Sequence, residues 1–324
     1  MSSTLLQSPF EVSDYQSMQE FGEIFIGALP KHIGSLKIPG RALFNGHRRE
    51  PVLAQVTQMV EIQNVMLEVL NNPITQEAQS YAESAFNVFL KKQNVDSGVL
   101  IFFNGWNETH KTTSLVSAKI IMRLSADALS VPAASQASYH NVMAHMHEVA
   151  KDDFGLGRKG HDGMYHYMTA AFGASAWVAN QYKIHECNEF SEFLYHTGVA
   201  EHKAAMNSSE HKQSIMDAMM VSIASELWNG REYNFIAQHI ESKLLAIDPL
   251  LSSNIQALRN AKGYIIGHAG EVENKHGLHA LAAAQAYGRT VDQTFEVARL
   301  AEIMLNYNGR VGKAFKAMHS ALTS

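Results

Sequence analysis

The stretch EVENKHGLHA, residues 271–280, contains two glutamates, a lysine and two histidines in ten positions. On a helix, residues three or four apart share a face. Glu271 and Lys275 are therefore predicted to form a surface ion pair, while Glu273 and His276 point elsewhere. Their face also carries apolar residues, namely Ile265, Ile266, Ala269, Val272, Ala280, Ala283 and Tyr287. A charged group on such a face is costly unless it is paired or metal-bound. The stretch thus predicts either a core histidine paired with its own glutamate or one wall of a metal site.

The composition indicates a globular intracellular protein. The chain has 324 residues, which fits one large domain or two ordinary ones, and 46% are apolar. Only 18% are charged, below the usual share of about 25%. A net charge of −5 without a basic tract argues against nucleic-acid binding. A single cysteine excludes an intramolecular disulfide and suits a reducing compartment. We find no signal peptide and no apolar run of roughly 18 residues, so we expect a cytoplasmic protein without a membrane span.

The order of residue types predicts an all-α bundle. Residues 1–50 are predicted to be an irregular extension, and 51–324 a single helical domain with its motif-bearing core at 135–290. The stretch NGWNETHKTT, residues 104–113, is predicted to be a polar loop. The predicted helical segments are 51–71, 74–92, 112–128, 135–154, 161–181, 185–203, 209–229, 231–246, 250–287 and 291–321. VLIFF, residues 99–103, fits a short strand or a buried helical turn.

Three further polar residues continue apolar stripes of other predicted helices. Asp153 extends the stripe that begins at Tyr139, whereas Glu148 falls on a more polar stripe. His161 heads a stripe that ends at Phe172. Glu226 continues the apolar stripe formed by Ile215, Met219 and Ile223. Each one alone could be a hydrogen-bonded core residue, but together they indicate a shared site.

The candidate metal ligands are therefore Asp153, His161, Glu226, Glu273 and His276. Mixed carboxylate and imidazole ligation suits iron or manganese, and the lack of a cysteine cluster argues against structural zinc. A ferritin-like di-iron bundle uses two Glu-x-x-His motifs. This chain has one such motif among the candidates, Glu273 with His276, which weakens the ferritin-like interpretation.

The order of these motifs resembles the haem-oxygenase-like diiron oxidase and oxygenase superfamily, related to the TenA and PQQ-synthase-C folds. The resemblance rests on DDFGLG, HDGMYHY, VSIASELW and EVENKHG, in that order, and covers about residues 135–290. It implies a haem-oxygenase-like bundle that binds Fe(II), with two irons per chain. It also implies O2-dependent oxidation or oxygenation of a small molecule such as an amine, an amino acid or a fatty acid.

The chain departs from the family pattern at two positions. Asp153 stands where the family usually has a glutamate. The last family motif places a histidine four residues before the acid, where this chain has Ala269, with His268 beside it. His268 and Glu148 are therefore additional candidate ligands. We expect His279 and Tyr165 to lie behind the ligands, within hydrogen-bonding range.

Other functions remain open at this point. Manganese could replace iron, or the site could work without metal, as in a PQQ-synthase-C-like oxidase. A TenA-like hydrolase would need a nucleophile, and Cys187 is the only thiol, on a helix with polar neighbours. The buried acids and histidines could instead specify the core of a non-enzymatic binding protein. Homodimers are common among such bundles, but no sequence feature decides the oligomeric state.

Overall fold

The computed structural model describes residues 17–35, 57–154 and 160–324, and these residues form an all-helical structure without strands. The all-α prediction is confirmed. No helix in the described ranges is long and apolar enough to cross a membrane. The α-helices are α1 (Met18–Ser35), α2 (Met59–Leu70), α3 (Pro73–Lys91), α4 (Ser97–His110), α5 (Thr113–Ser130), α6 (Ala133–Phe154), α7 (His161–Ala171), α8 (His185–Leu194), α9 (Ser209–Ala237), α10 (Ile240–Ile247), α11 (Ile255–His268), α12 (Val272–Val291) and α13 (Val297–Thr323).

Several helices begin at side chains that cap the free backbone amides of the first turn. The Asn72 side chain accepts from the Ile74 amide at the start of α3, where Pro73 takes the first helical position. Asp96 accepts from the Val99 amide in α4, and Ser208 from the His211 amide in α9. Such caps satisfy amides that have no partner within the helix.

Helix α9 lies at the centre of the bundle. Its side chains are buried on all sides from Ala218 to Ile236, as expected of a helix surrounded by others. It contacts α1, α5, α11, α12 and α13, and α12 in turn packs on α6. Polar residues on α9 and α12 are therefore carried into the core by the fold.

Two segments expected to be irregular are helical. The extension at 1–50 contains α1, whose Phe21, Phe25 and Leu29 are buried in the core, while 1–16 and 36–50 lie outside the described residues. The predicted loop at 104–113 is mostly the second half of α4, and VLIFF is its first half. The loop prediction was wrong because the polar side chains of this segment face buried partners rather than water.

The long helical stretches end at different positions from those predicted. Helix α9 continues through Gly230, where a break was expected. A Cβ on Gly230 would lie 3.2 Å from Asn274 Oδ1 and 3.4 Å from Glu273 Cβ, so this glycine lets α12 approach α9 closely.

The single helix expected at 250–287 is two helices, α11 and α12, and the break between them positions the candidate site. Ala269 is extended, and Gly270 has a φ of 77°. The Gly270 amide donates to Asn234 Oδ1 at 2.7 Å, which anchors the break to α9.

We predict that Gly270→Ala lowers the free energy of unfolding by about 1–2 kcal/mol, because a Cβ disfavours positive φ. Urea denaturation of the metal-free protein measures the change. Gly267→Ala is the matched control: this glycine lies within α11 with no atom close to an added Cβ, so alanine should be neutral or stabilising. Equal stability of Gly270→Ala and the wild type would contradict the left-handed break.

Candidate metal centre

Six side chains form two groups of potential metal ligands, each with ligand atoms within 4.8 Å of one another. The first group, called the histidine-rich group here, consists of Asp153, His161 and His268. They come from the end of α6, the start of α7 and the end of α11. Three different helices therefore meet at this group.

The second group, the glutamate-rich group, consists of Glu226, Glu273 and His276. Glu226 lies on α9, and the other two lie on the first turns of α12. His276 Nδ1 lies 3.2 Å from Glu273 Oε2 and 3.7 Å from Glu226 Oε2. All three side chains are buried, so one imidazole lies beside two carboxylates away from water.

The imidazole of His268 is oriented by the backbone of its own helix. Its Nδ1 donates to the Tyr264 carbonyl oxygen at 2.6 Å. The hydrogen is therefore on Nδ1, and the Nε2 lone pair is available to a metal. The rings of His268 and His161 are 4.9 Å apart between centroids, a separation at which both can face one ion.

Burial keeps the histidines of the first group neutral. It lowers the pKa of His161 well below the usual value, with smaller contributions from His268 and His110. Burial likewise lowers the pKa of His268 to about 4. Neutral imidazole is the form that binds metal.

In the glutamate-rich group, burial has the opposite effect on the pKa of a ligand. Burial raises the pKa of the Glu226 carboxyl above its usual value, and the neighbouring Glu273 raises it further. Two carboxylates cannot both carry a charge at short range in an apolar core without a compensating cation. A divalent cation between them would remove this conflict.

Both groups face one small internal cavity. The cavity is lined by His110, Thr113, Ser114, Asp153, His161, Glu226, Asn229, His268 and Glu273. About 10 Å³ is open to the centre of a water-sized sphere, which is room for about one water or ion. Glu226 and Glu273 belong to the second group and also line this cavity, so both groups open onto the same space.

The donor set fits two divalent transition-metal ions. It offers three carboxylates and three imidazoles without any thiolate. Such mixed oxygen and nitrogen donors suit Fe(II) or Mn(II), and structural zinc would favour cysteines. Three protein donors per ion leave coordination positions open to small molecules.

Comparisons with protein-family models, curated proteins and solved structures found no match for the chain. The site is therefore interpreted from its own geometry.

The structure brings the five predicted ligands together and adds His268. Its neighbour Ala269 occupies the position where the family pattern has a histidine, but the helix expected there ends at His268. The break at 269–271 turns the chain so that His268, five residues before Glu273, still reaches the cavity. A continuous helix would have placed these two side chains on different faces.

The other predicted residues lie outside the two groups. Glu148 forms an ion pair with Lys151 on α6. His279 Nδ1 is 3.0 Å from His145 Nδ1, and Tyr165 donates to the Phe103 carbonyl oxygen at 2.6 Å. None of the hydrogen bonds found for His279 or Tyr165 reaches a ligand of either group.

Four cavity residues were missed by the sequence analysis, namely His110, Thr113, Ser114 and Asn229. His110 was placed in the supposed loop at 104–113. Its spacing of four residues from Trp106 is the helical signal that could have placed both on one buried face. Asn229 follows Glu226 by three residues and so shares its face on α9.

Cys187 is buried rather than exposed. Burial raises the pKa of its thiol well above the usual value, with smaller contributions from Glu108 and Glu186. The thiolate is the nucleophilic form, and this residue does not line the cavity. It is therefore a poor nucleophile for a reaction at this site.

We predict that Glu226→Gln stabilises the metal-free protein increasingly as pH rises. A carboxyl whose pKa is raised by folding contributes stability below the unfolded pKa, 4.5 for glutamate, and loses it as pH rises through the folded pKa. The glutamine side chain has no such loss. The stability difference between variant and wild type should therefore grow by on the order of 2 kcal/mol between about pH 5 and about pH 8.

Chemical denaturation in the presence of a chelator measures this difference at both pH values. Glu192→Gln, at an exposed position on α8, is the control and should show a constant difference. A Glu226→Gln difference that stays constant or shrinks with pH would contradict the raised pKa.

Proposed function

We propose that the protein is an O2-dependent non-haem iron oxidase or oxygenase that acts on a small molecule and binds two Fe(II) ions. The observation that carries the proposal is the pair of three-residue ligand groups on one cavity. Manganese is the alternative metal for the same donors. Iron with open coordination positions supplies the chemistry of O2 activation.

The protein would hold one ion with Asp153, His161 and His268, and the other with Glu226, Glu273 and His276. The ligands come from five helices: α6, α7, α9, α11 and α12. A site built on rigid helices keeps its geometry better than one built on loops. The Tyr264 carbonyl oxygen orients the imidazole of His268 before metal binds. This lowers the entropic cost of ordering that side chain when metal binds.

Buried aromatic side chains pack around part of the cavity. Tyr233 and Tyr264 are fully buried, their hydroxyls are 2.7 Å apart, and both rings pack on His268. Trp106 packs edge-on against the Tyr264 ring. Packed aromatic rings behind a polar cavity suit reactive oxygen chemistry, because they limit the access of water and side reactions.

We further propose that the bundle is of the haem-oxygenase-like type. Support comes from the all-helical fold and from the order in which the chain supplies the ligands. That order is a carboxylate, a histidine that opens the next helix, a glutamate on a later helix, and an acid-x-x-His helix. The substrate would be an amine, an amino acid or a fatty acid, as the resemblance implies.

No observation favours the alternatives to the same degree. The hydrolase would need a nucleophile at the cavity, and the only thiol of the chain lies elsewhere. A purely structural role would leave Glu226 and Glu273 side by side in the core, where one of them must hold a proton at a cost in stability. The metal-free oxidase is an outcome of the following experiment.

We predict that the protein binds about two Fe(II) per chain under anaerobic conditions and that its absorbance changes when O2 is admitted. His268→Ala and His276→Ala each remove one imidazole from one group. Each variant should lose most of one site and bind about one Fe(II). Iron content after gel filtration and anaerobic titration give the stoichiometry.

Glu148→Gln is the matched control, because this acid lies on α6 with Asp153 but pairs with Lys151. It should bind as much iron as the wild type and react alike with O2. A wild type that binds no Fe(II) at millimolar concentration would favour the metal-free oxidase or the binding protein. Iron bound equally by wild type and both histidine variants would place the metal elsewhere.

A further inference from the structure

Two residues that line the cavity each have a buried side-chain atom with no hydrogen-bond partner among the described residues. These atoms are Nδ1 of His110 and Oδ1 of Asn229. Both side chains are at least nine-tenths buried. A buried polar atom without a partner lowers stability, so such atoms at a cavity point to a ligand.

The hydrogen of His110 is fixed by Glu232. The Nε2 atom of His110 lies 2.8 Å from Oε1 of this fully buried carboxylate. The carboxylate also accepts from the indoles of Trp106 and Trp228, which hold it in place. Since the carboxylate accepts, Nε2 carries a hydrogen, and in the neutral imidazole Nδ1 then presents a lone pair.

The side-chain amide of Asn229 is also oriented by a hydrogen bond. Its Nδ2 donates to Ser225 Oγ at 3.5 Å, so its carbonyl oxygen is the atom left over. Asn229 follows the metal-ligand candidate Glu226 by three residues and precedes Tyr233 by four, which places all three on one face of α9. The carbonyl oxygen therefore belongs to the same wall of the cavity as a proposed ligand.

We infer that His110 and Asn229 form an acceptor pair that binds an N–H- or O–H-bearing group of the molecule held beside the metal ions. This inference rests on the proposed function and narrows its substrate class. A molecule whose reacting end carries an amino or hydroxyl group satisfies both lone pairs. A molecule that meets them with a bare anion, such as a carboxylate end, would face two acceptors and be repelled.

The small volume limits what can bind beside the proposed ligands. The cavity has room for about one water-sized group, so a bound molecule can place only a small end there. Thr113 and Ser114, at the start of α5, also line the cavity. The acceptor pair thus selects the group that reaches the metals.

Two small probes of similar size test the inference. Hydroxylamine carries N–H and O–H hydrogens, whereas azide at neutral pH carries none, and both bind metal ions end-on. Under anaerobic conditions Co(II) replaces Fe(II), because it resists oxidation and its visible spectrum reports each binding event. We expect Asn229→Leu and His110→Phe each to weaken hydroxylamine binding about tenfold, or about 1.4 kcal/mol, as for one lost hydrogen bond. Azide affinity should change less than about threefold.

Asn104→Leu is the control. This asparagine is also buried, but it donates to the Trp177 carbonyl oxygen and does not line the cavity. It should leave both affinities unchanged. Asn229→Leu is close in volume to the wild type and leaves Glu232 with all its donors, so it carries the test if His110→Phe does not fold.

The outcomes separate this inference from the metal proposal. Co(II) uptake with equal loss of both probes, or with no loss of either, overturns the acceptor pair and leaves the metal centre standing. A wild type that takes up no Co(II) overturns both. A loss confined to hydroxylamine supports the pair.

Discussion

The candidate metal centre depends on two glutamates that lie side by side in the core. Glu226 on α9 and Glu273 on α12 are both almost completely buried, and His276 lies between them. Two negative charges this close in the core repel each other. Without a cation, a proton on one carboxyl removes the repulsion, and the pKa of Glu226 is raised accordingly. The fold brings them together through a glycine: Gly230 lets the first turn of α12 approach α9 closely. The packing of the two central helices and the chemistry of the site therefore follow from one contact.

The break between α11 and α12 allows His268 and Glu273 to face the same cavity. A histidine and an acid five residues apart cannot share a face of a straight helix. Gly270 adopts positive φ, and Asn234 of α9 binds its amide, so the chain turns and His268 reaches the cavity. The proposed metal ligation depends on a backbone conformation as much as on the ligand types. The same break leaves the Tyr264 carbonyl bonded to His268, which fixes its tautomer.

The sequence predicted those parts of the site that depend on helical phase alone. Asp153, His161, Glu226, Glu273 and His276 were chosen because each continues an apolar stripe, and phase is a local property. The sequence showed His268 only as the neighbour of position 269, where the family pattern has a histidine. Its place at the cavity could not be predicted, because helix breaks depend on tertiary contacts such as that of Gly270 with Asn234. His110 was missed because its segment is rich in polar residues. Those residues bond to buried partners such as Glu232 and the Trp177 carbonyl, which no local pattern reveals.

Helix α9 connects the proposed binding of metal with that of substrate. Glu226 and Asn229 lie one turn apart on it and face the same cavity, while Glu232, on another face, holds the imidazole of His110 from behind. A displacement of α9 would therefore move a metal ligand, a cavity acceptor and the partner of a second acceptor together. Since the helix is buried along most of its length, such displacement is strongly resisted. In the proposed oxidase, a rigid central helix would keep the reacting group at a fixed distance from the metal ions, which selective oxidation requires.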